Sequence, residues 1–222
     1  SDETLLVRKL GKMGSILWAF ANGYDESPVK LENTSAPVKS VGNSTTTPRD
    51  METDEDVKIV LYILAESVAA RLRENGFRCR TVEISIRDKD LLHFSKQVKL
   101  QNASNITREI AEAGYRLYKD NYRLPADDKE LKSSRPEFFQ KPLRSIGIRA
   151  TDLVTDYFWE QLDIFMDPQA REKQMKMDET VDIIRKRFGF YSVQRGLMYR
   201  DRILSACDAK SDHTVHPHGY FG

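Results

Sequence analysis

The clearest periodicity in the chain lies between residues 53 and 76. Val57, Val60, Leu61, Leu64, Val68 and Leu72 recur at helical spacing up to Gly76, behind Thr53 as N-cap and Asp54, Glu55 and Asp56 in the first turn. The period then changes. Over residues 79–87, Val82, Ile84 and Ile86 alternate with Thr81, Glu83, Ser85 and Arg87, the signature of a half-buried strand. Residues 93–101 do the same, setting Phe94, Val98 and Leu100 opposite Ser95, Gln97, Lys99 and Gln101, and the short connection predicts a hairpin. A small-residue and β-branched run from Val38 to Thr47, ended by Pro48, predicts an earlier strand. Ser104 or Asn105 caps a second helix through Ile106, Ile110, Ala113 and Leu117, and a loop with Pro125 and Pro136 leads to a last strand over 143–151.

The predicted order, β-α-β-β-α-β, is that of a split βαβ, ferredoxin-like α+β domain, in which two helices cover one face of a four-stranded sheet. The other face is left bare. Its outward positions are Ser40, Gly42, Ser44 and Thr46, then Ser85 and Arg87, Gln97 and Lys99, and Ser145, Gly147 and Arg149: small, hydroxylic or basic, and none aromatic.

The flanks are simpler. Residues 4–22 read as one helix with Leu6, Leu10, Met13, Leu17, Trp18 and Ala21 on its apolar side, ended by Asn22-Gly23, and residues 25–37 read as a linker. After the sheet, residues 156–166 carry an apolar cluster. A charged stretch from Asp167 to Asp178 leads to a helix over 179–188, and the last 25 or so residues, without periodicity, are expected to be loose or docked on the surface.

Composition narrows the class without naming a chemistry. Hydrophobic residues make up 40% and charged residues 31% of 222, a globular balance with no apolar run long enough for a bilayer. No secretory signal is legible, since Arg8 and Lys9 interrupt the first apolar residues, so the expected location is the cytoplasm. Cys79 and Cys207 form no metal spacing and suit a reducing compartment, and His213, His216 and His218 read as part of a solvated tail. With a net charge of +1, contact with nucleic acid must come from local basic patches.

Three segments resemble bacterial Y-family (translesion) DNA polymerases of the impB/mucB/samB type. Leu10 to Met13, with Leu17-Trp18-Ala19-Phe20-Ala21-Asn22-Gly23, is similar to the last helix of that family's thumb domain; Lys39 to Asp50 is similar to the first strand of its little finger domain; and Leu143 to Arg149 is similar to the last strand. The resemblance implies an organisation of thumb end (1–24), linker (25–37), little finger (38–155), clamp-binding segment (156–166) and C-terminal extension (167–222). It implies a partner, primer–template DNA, gripped by the sheet through Lys39, Ser40, Gly42, Asn43, Ser44, Thr45, Thr46, Arg87, Lys99, Arg144, Ser145 and Arg149. Small side chains let backbone amides approach phosphates, and hydroxyls and cations bind them without a base preference. The alternative is an ordinary solvated strand face.

A second implied partner is the bacterial sliding clamp. Gln161-Leu162-Asp163-Ile164-Phe165 matches the family's clamp-binding pentapeptide, with Ile164 where leucine is usual, and 57 residues follow it. Leu162 and Phe165 would enter an apolar pocket while Gln161 bonds at its rim, a burial worth roughly 3–6 kcal/mol before ordering costs. Otherwise these side chains pack on the chain's own core. In the family the catalytic carboxylates and their Mg²⁺ belong to the palm, so no cofactor is expected in this fragment and it should be inactive alone. Asp54, Glu55 and Asp56 are expected to cap a helix, not to hold a metal. The basic segment from Arg185 to Arg195 is a further candidate for DNA or for another domain. Competing readings are a ferredoxin-like RNA-binding module, which would need aromatics on the bare face, and an adaptor that recruits the clamp without gripping DNA.

Overall fold

The structure, a computed structural model, describes residues 2–26, 38–122, 124, 141–155 and 167–207. The chain divides into two compact units, residues 1–37 and 38–222. The first does not contain the single helix expected over 4–22. Helix α1 (Glu3–Leu10), capped by Asp2, and helix α2 (Lys12–Ala21) are separated by Gly11 at φ 60°, a left-handed conformation that turns the chain between them. Gly14 explains the tight return: a methyl group there would lie 2.4 Å from the Leu6 backbone, so only glycine lets α2 pass. Leu5, Leu10, Met13, Leu17 and Phe20 remain exposed.

The second unit follows the predicted order of elements. Strands β1 (Ser40–Met51), β2 (Phe77–Asp88), β3 (His93–Ser104) and β4 (Leu143–Thr155) form one antiparallel sheet in the order β1-β4-β2-β3. Helices α3 (Asp54–Glu74) and α4 (Thr107–Asn121) pack on one face of it through Ile59, Leu61, Leu64, Ile110 and Leu117 against Val82, Ile84, Ile86, Ile146 and Ile148. β1 does not stop at Pro48 but continues to Met51. Being an edge strand it has an outer side where a missing N–H costs no ladder bond, and its register shifts between Thr46 and Met51. Thr53 is the N-cap of α3, as expected, and with Asp56 it forms a capping box.

Over its described residues, 167–207, the extension is far more ordered than its sequence suggests. The stretch from Asp167 is not a lead-in: α5 runs from Pro168 to Phe188, with Asp167 as N-cap and proline at the first turn. Two 3₁₀ turns (Phe190–Ser192 and Gly196–Arg200) and a short helix, α6 (Arg202–Ser205), follow, and Met198 and Leu204 are buried in the main core. This segment forms a third layer over α3, which is why α3 carries buried polar groups on the side away from the sheet.

Those groups are satisfied by ion pairs. Glu66, 5% exposed, receives Arg185 at 2.9 Å and Arg195 at 2.6 Å. Asp178 of α5, 4% exposed, accepts from Arg73 and Arg195 and also from the Thr107 backbone N–H at 2.8 Å. The cap of α4 therefore comes from another helix. Of the two capping residues expected from sequence, Ser104 accepts through Oγ from the Ile106 N–H, while Asn105 passes its carbonyl to Arg73. Arg185 and Arg195, candidates for an external partner, are consumed inside the fold. At the other end Arg49 bridges Asp56 (2.7 Å) and Asp201 (2.6 Å), tying β1, α3 and α6 together. Burial acts to raise the Asp56 pKa, but hydrogen bonds from Arg49 and from the Glu52 and Thr53 amides outweigh it and hold the carboxyl below its usual value; Asp201 is lowered chiefly by Arg49. Cys79 is buried and its thiol is pushed up to about 12, an inert core residue.

Candidate nucleic-acid interface

Strand register turns the bare face into a grid, because residues of like parity on paired strands stand side by side. Four rows cross the sheet in the order β1, β4, β2, β3. They are Ser40–Thr151–Thr81–Lys99, Gly42–Arg149–Glu83–Gln97, Ser44–Gly147–Ser85–Ser95 and Thr46–Ser145–Arg87–His93. No Phe, Tyr or Trp occupies any of these positions, and the face carries three permanent cations, Lys99, Arg149 and Arg87, against the single carboxylate of Glu83. All three cations are exposed and, among the described residues, none enters an ion pair.

The third row is the lowest part of the surface. A methyl group on Gly147 would lie 2.5 Å from Ser85 Oγ and 2.9 Å from Ser44 Cβ, so the serines on both sides lean over the glycine. The result is a shallow trough of hydroxyls and backbone between a row containing Arg149 and a row containing Arg87. Such a surface admits a sugar–phosphate backbone and offers donors to phosphate oxygens, and the one flat ring on the grid, the exposed imidazole of His93, stands at its β3 corner.

Most of the residues expected from sequence are brought together here: Ser40, Gly42, Ser44, Thr46, Arg87, Lys99, Ser145 and Arg149 all belong to the grid. Lys39 is exposed just before β1. Three other expected residues lie off this grid. Asn43 and Thr45 have the opposite parity, pairing with Ile148 and Ile146 of the core-facing set, and Asn43 donates to Ser67 Oγ of α3 at 3.3 Å. Their side chains face the helices. Arg144 is the extra residue where Ser145 pairs with Arg87 but Leu143 pairs with Asp88, a bulge that puts its side chain 3.6 Å from Asp50. Gln161, Leu162, Asp163, Ile164 and Phe165 lie outside the described residues.

Sequence reasoning omitted Glu83, His93 and Thr151 from the site. Alternation alone would have found Thr151, one step beyond Arg149, whereas His93 enters only through the hairpin register with Arg87. The acidic triplet is accounted for structurally: Asp54 accepts from Tyr118 and Lys119, Glu55 meets Arg200, and Asp56 holds the cap and Arg49. Among the described residues no helix is long and apolar enough to cross a membrane.

Comparison with known proteins identifies the family of the sheet unit. The impB/mucB/samB family C-terminal domain matches residues 38–164, from the start of the sheet unit to the fourth residue of the pentapeptide. A DNA polymerase IV of Acetivibrio thermocellus is 44% identical over 200 residues, covering 90% of this chain and 46% of the relative. DNA polymerase IV 2 of Bacillus subtilis is 35% identical over 195 residues, covering 86% and 42%. The chain spans less than half the length of these curated relatives.

Proposed function

Since the chain belongs to the impB/mucB/samB family, we propose that it is the DNA-gripping and clamp-docking portion of a translesion DNA polymerase. The observation that carries this reading is the bare sheet face: a trough of small and hydroxylic side chains between exposed arginines, on a grid without Phe, Tyr or Trp. Phosphates would bind across the rows while the sequence of the duplex goes unread, which suits an enzyme that must hold damaged template. Nucleotidyl transfer and its Mg²⁺ belong, in this reading, to a palm domain outside residues 1–222, so the chain alone binds primer–template DNA without extending it.

Gln161 to Phe165 supplies the second half of the function. The segment connects β4 to α5, both ends of which are held by the sheet unit, and its Leu162 and Phe165 anchors would tether the polymerase to a sliding clamp at micromolar-range affinity. The working location is the bacterial cytoplasm, in DNA repair and damage tolerance.

The test is equilibrium binding of the chain to a primer–template duplex across a salt series. Three phosphate contacts through Lys99, Arg87 and Arg149 predict a slope of log K against log salt of at least about −2.7, at about 0.9 per phosphate. Failure to bind duplex DNA at low salt, or a flat response, would leave clamp recruitment as the remaining role. Preference for single-stranded RNA would point to the RNA-binding alternative. Binding to a bacterial clamp, lost in a Leu162→Ala, Phe165→Ala double variant, tests the docking segment separately.

A further inference from the structure

β1 lies at the edge of the sheet, so one side of its backbone has no neighbouring strand. At Gly42 that side is met by an arginine from the helix layer. Arg71 of α3 donates through Nη2 to the Gly42 carbonyl at 2.9 Å and through Nε to the Ser67 carbonyl at 3.3 Å. A carbonyl that turns to Arg71 turns away from β4, and in an extended strand the N–H of the same residue points the same way. The Gly42 amide therefore faces outward beside a guanidinium.

From the opposite face Arg149, directly across from Gly42 in the ladder, leans toward the same residue. A methyl group on Gly42 would sit 3.1 Å from Arg149 Cγ and 3.2 Å from its Cβ. The stem of Arg149 thus lies against Gly42 on the bare face, while Arg71 meets the carbonyl of the same residue from the helix layer. Arg71 is partly buried, and burial lowers its pKa, yet a guanidinium starts so high that it remains charged; two of its five N–H donors are engaged by Ser67 and Gly42. A fixed, partly desolvated cation with donors to spare is well suited to a phosphate oxygen, because little side-chain freedom remains to be lost on binding.

We propose that Arg71, the Gly42 amide and Arg149 form one phosphate-binding position at the outer edge of β1, with Arg71 reaching the DNA backbone from the helix layer. The inference rests on reading the bare face as a DNA grip and adds a residue that lies off that face. It also assigns Gly42 a reason: any side chain there would push Arg149 away from the edge.

The experiment measures the salt dependence of primer–template binding for the full chain and for Arg71→Gln, Arg71→Lys and Arg149→Ala, with a thermal melt for each. The slope for Arg71→Gln is expected to fall by about 0.9, with binding at 0.1 M salt about eightfold weaker, while Arg71→Lys keeps the slope. An unchanged slope in Arg71→Gln alongside a reduced slope in Arg149→Ala overturns the role of Arg71 and leaves the bare-face reading intact. An unchanged slope in both overturns the two together. If Arg71→Gln fails to fold, Arg71→Met, which keeps the aliphatic stem packed on α3, gives the same reading.

Discussion

The two sides of the sheet unit use the same kinds of side chain to opposite ends. Behind the sheet, Arg73, Arg185 and Arg195 are matched to Glu66, Asp178 and Asp182, with both carboxylates at the centre of the network almost fully buried. On the bare face, Arg87, Lys99 and Arg149 are exposed and, among the described residues, unpaired. A buried pair is a structural commitment, because removing one partner strands the other charge in a low dielectric. An exposed cation contributes little to folding and stays available to a polyanion. What separates the two roles is the neighbourhood of each arginine, since the side chain itself is the same.

The largest effect should come from breaking the buried side. Asp178→Ala removes the acceptor shared by Arg73, Arg195 and the first amide of α4, and is expected to cost about 3–5 kcal/mol in urea unfolding. Any folded fraction should bind DNA with the wild-type salt slope; a changed slope would show that the two sides are not separate. Gly147→Val fills the trough against Ser85 and Ser44 and should cost about 1–3 kcal/mol by overpacking, while also weakening DNA binding.

Substitution on the bare face should invert this pattern. The Arg87→Ala, Arg149→Ala double variant is expected to keep its stability within about 1 kcal/mol, since unpaired surface sites shift it by about 0.5 kcal/mol each. Its DNA-binding slope should nevertheless drop by about 1.8. A loss of stability comparable to that of Asp178→Ala would mean that these arginines are structural.

The smallest effect concerns acid. Asp56 and Asp201 have folded-state pKa values below the ordinary carboxylate range. Their contribution is therefore complete above about pH 4, the unfolded value, and is lost as pH falls through the lowered folded values. The melting temperature of the wild type should fall on acidification below about pH 4. Arg49→Leu should start lower and fall less steeply over the same range, and parallel curves would show that Arg49 does not hold these carboxylates.

Much of this architecture was legible because it is local. Alternation in residues 79–87 and the capped apolar period from Thr53 specify element type by themselves, and the hydroxyl-rich parity of β1 can be read by counting in twos. Asn43 and Thr45, expected at the site only through the family resemblance, have the other parity, which the same counting shows. The place of Arg144 was not legible, because the bulge that sets it breaks the alternation without a signal in the residues. The break between α1 and α2 had its signal in Gly11 and Gly14, but apolar spacing that continues across a glycine is equally consistent with one helix.

The sequence alone determined the kinds of element, their order, the absence of Phe, Tyr and Trp from one sheet face and the pentapeptide motif, since each depends on spacing within a few residues. Only the tertiary structure decided that β4 and β2 occupy the centre, that Asp178 caps a helix some 70 residues earlier, and which arginines turn inward. Those outcomes depend on long-range pairing, where the partner of a charge is set by how distant segments pack and not by its neighbours along the chain.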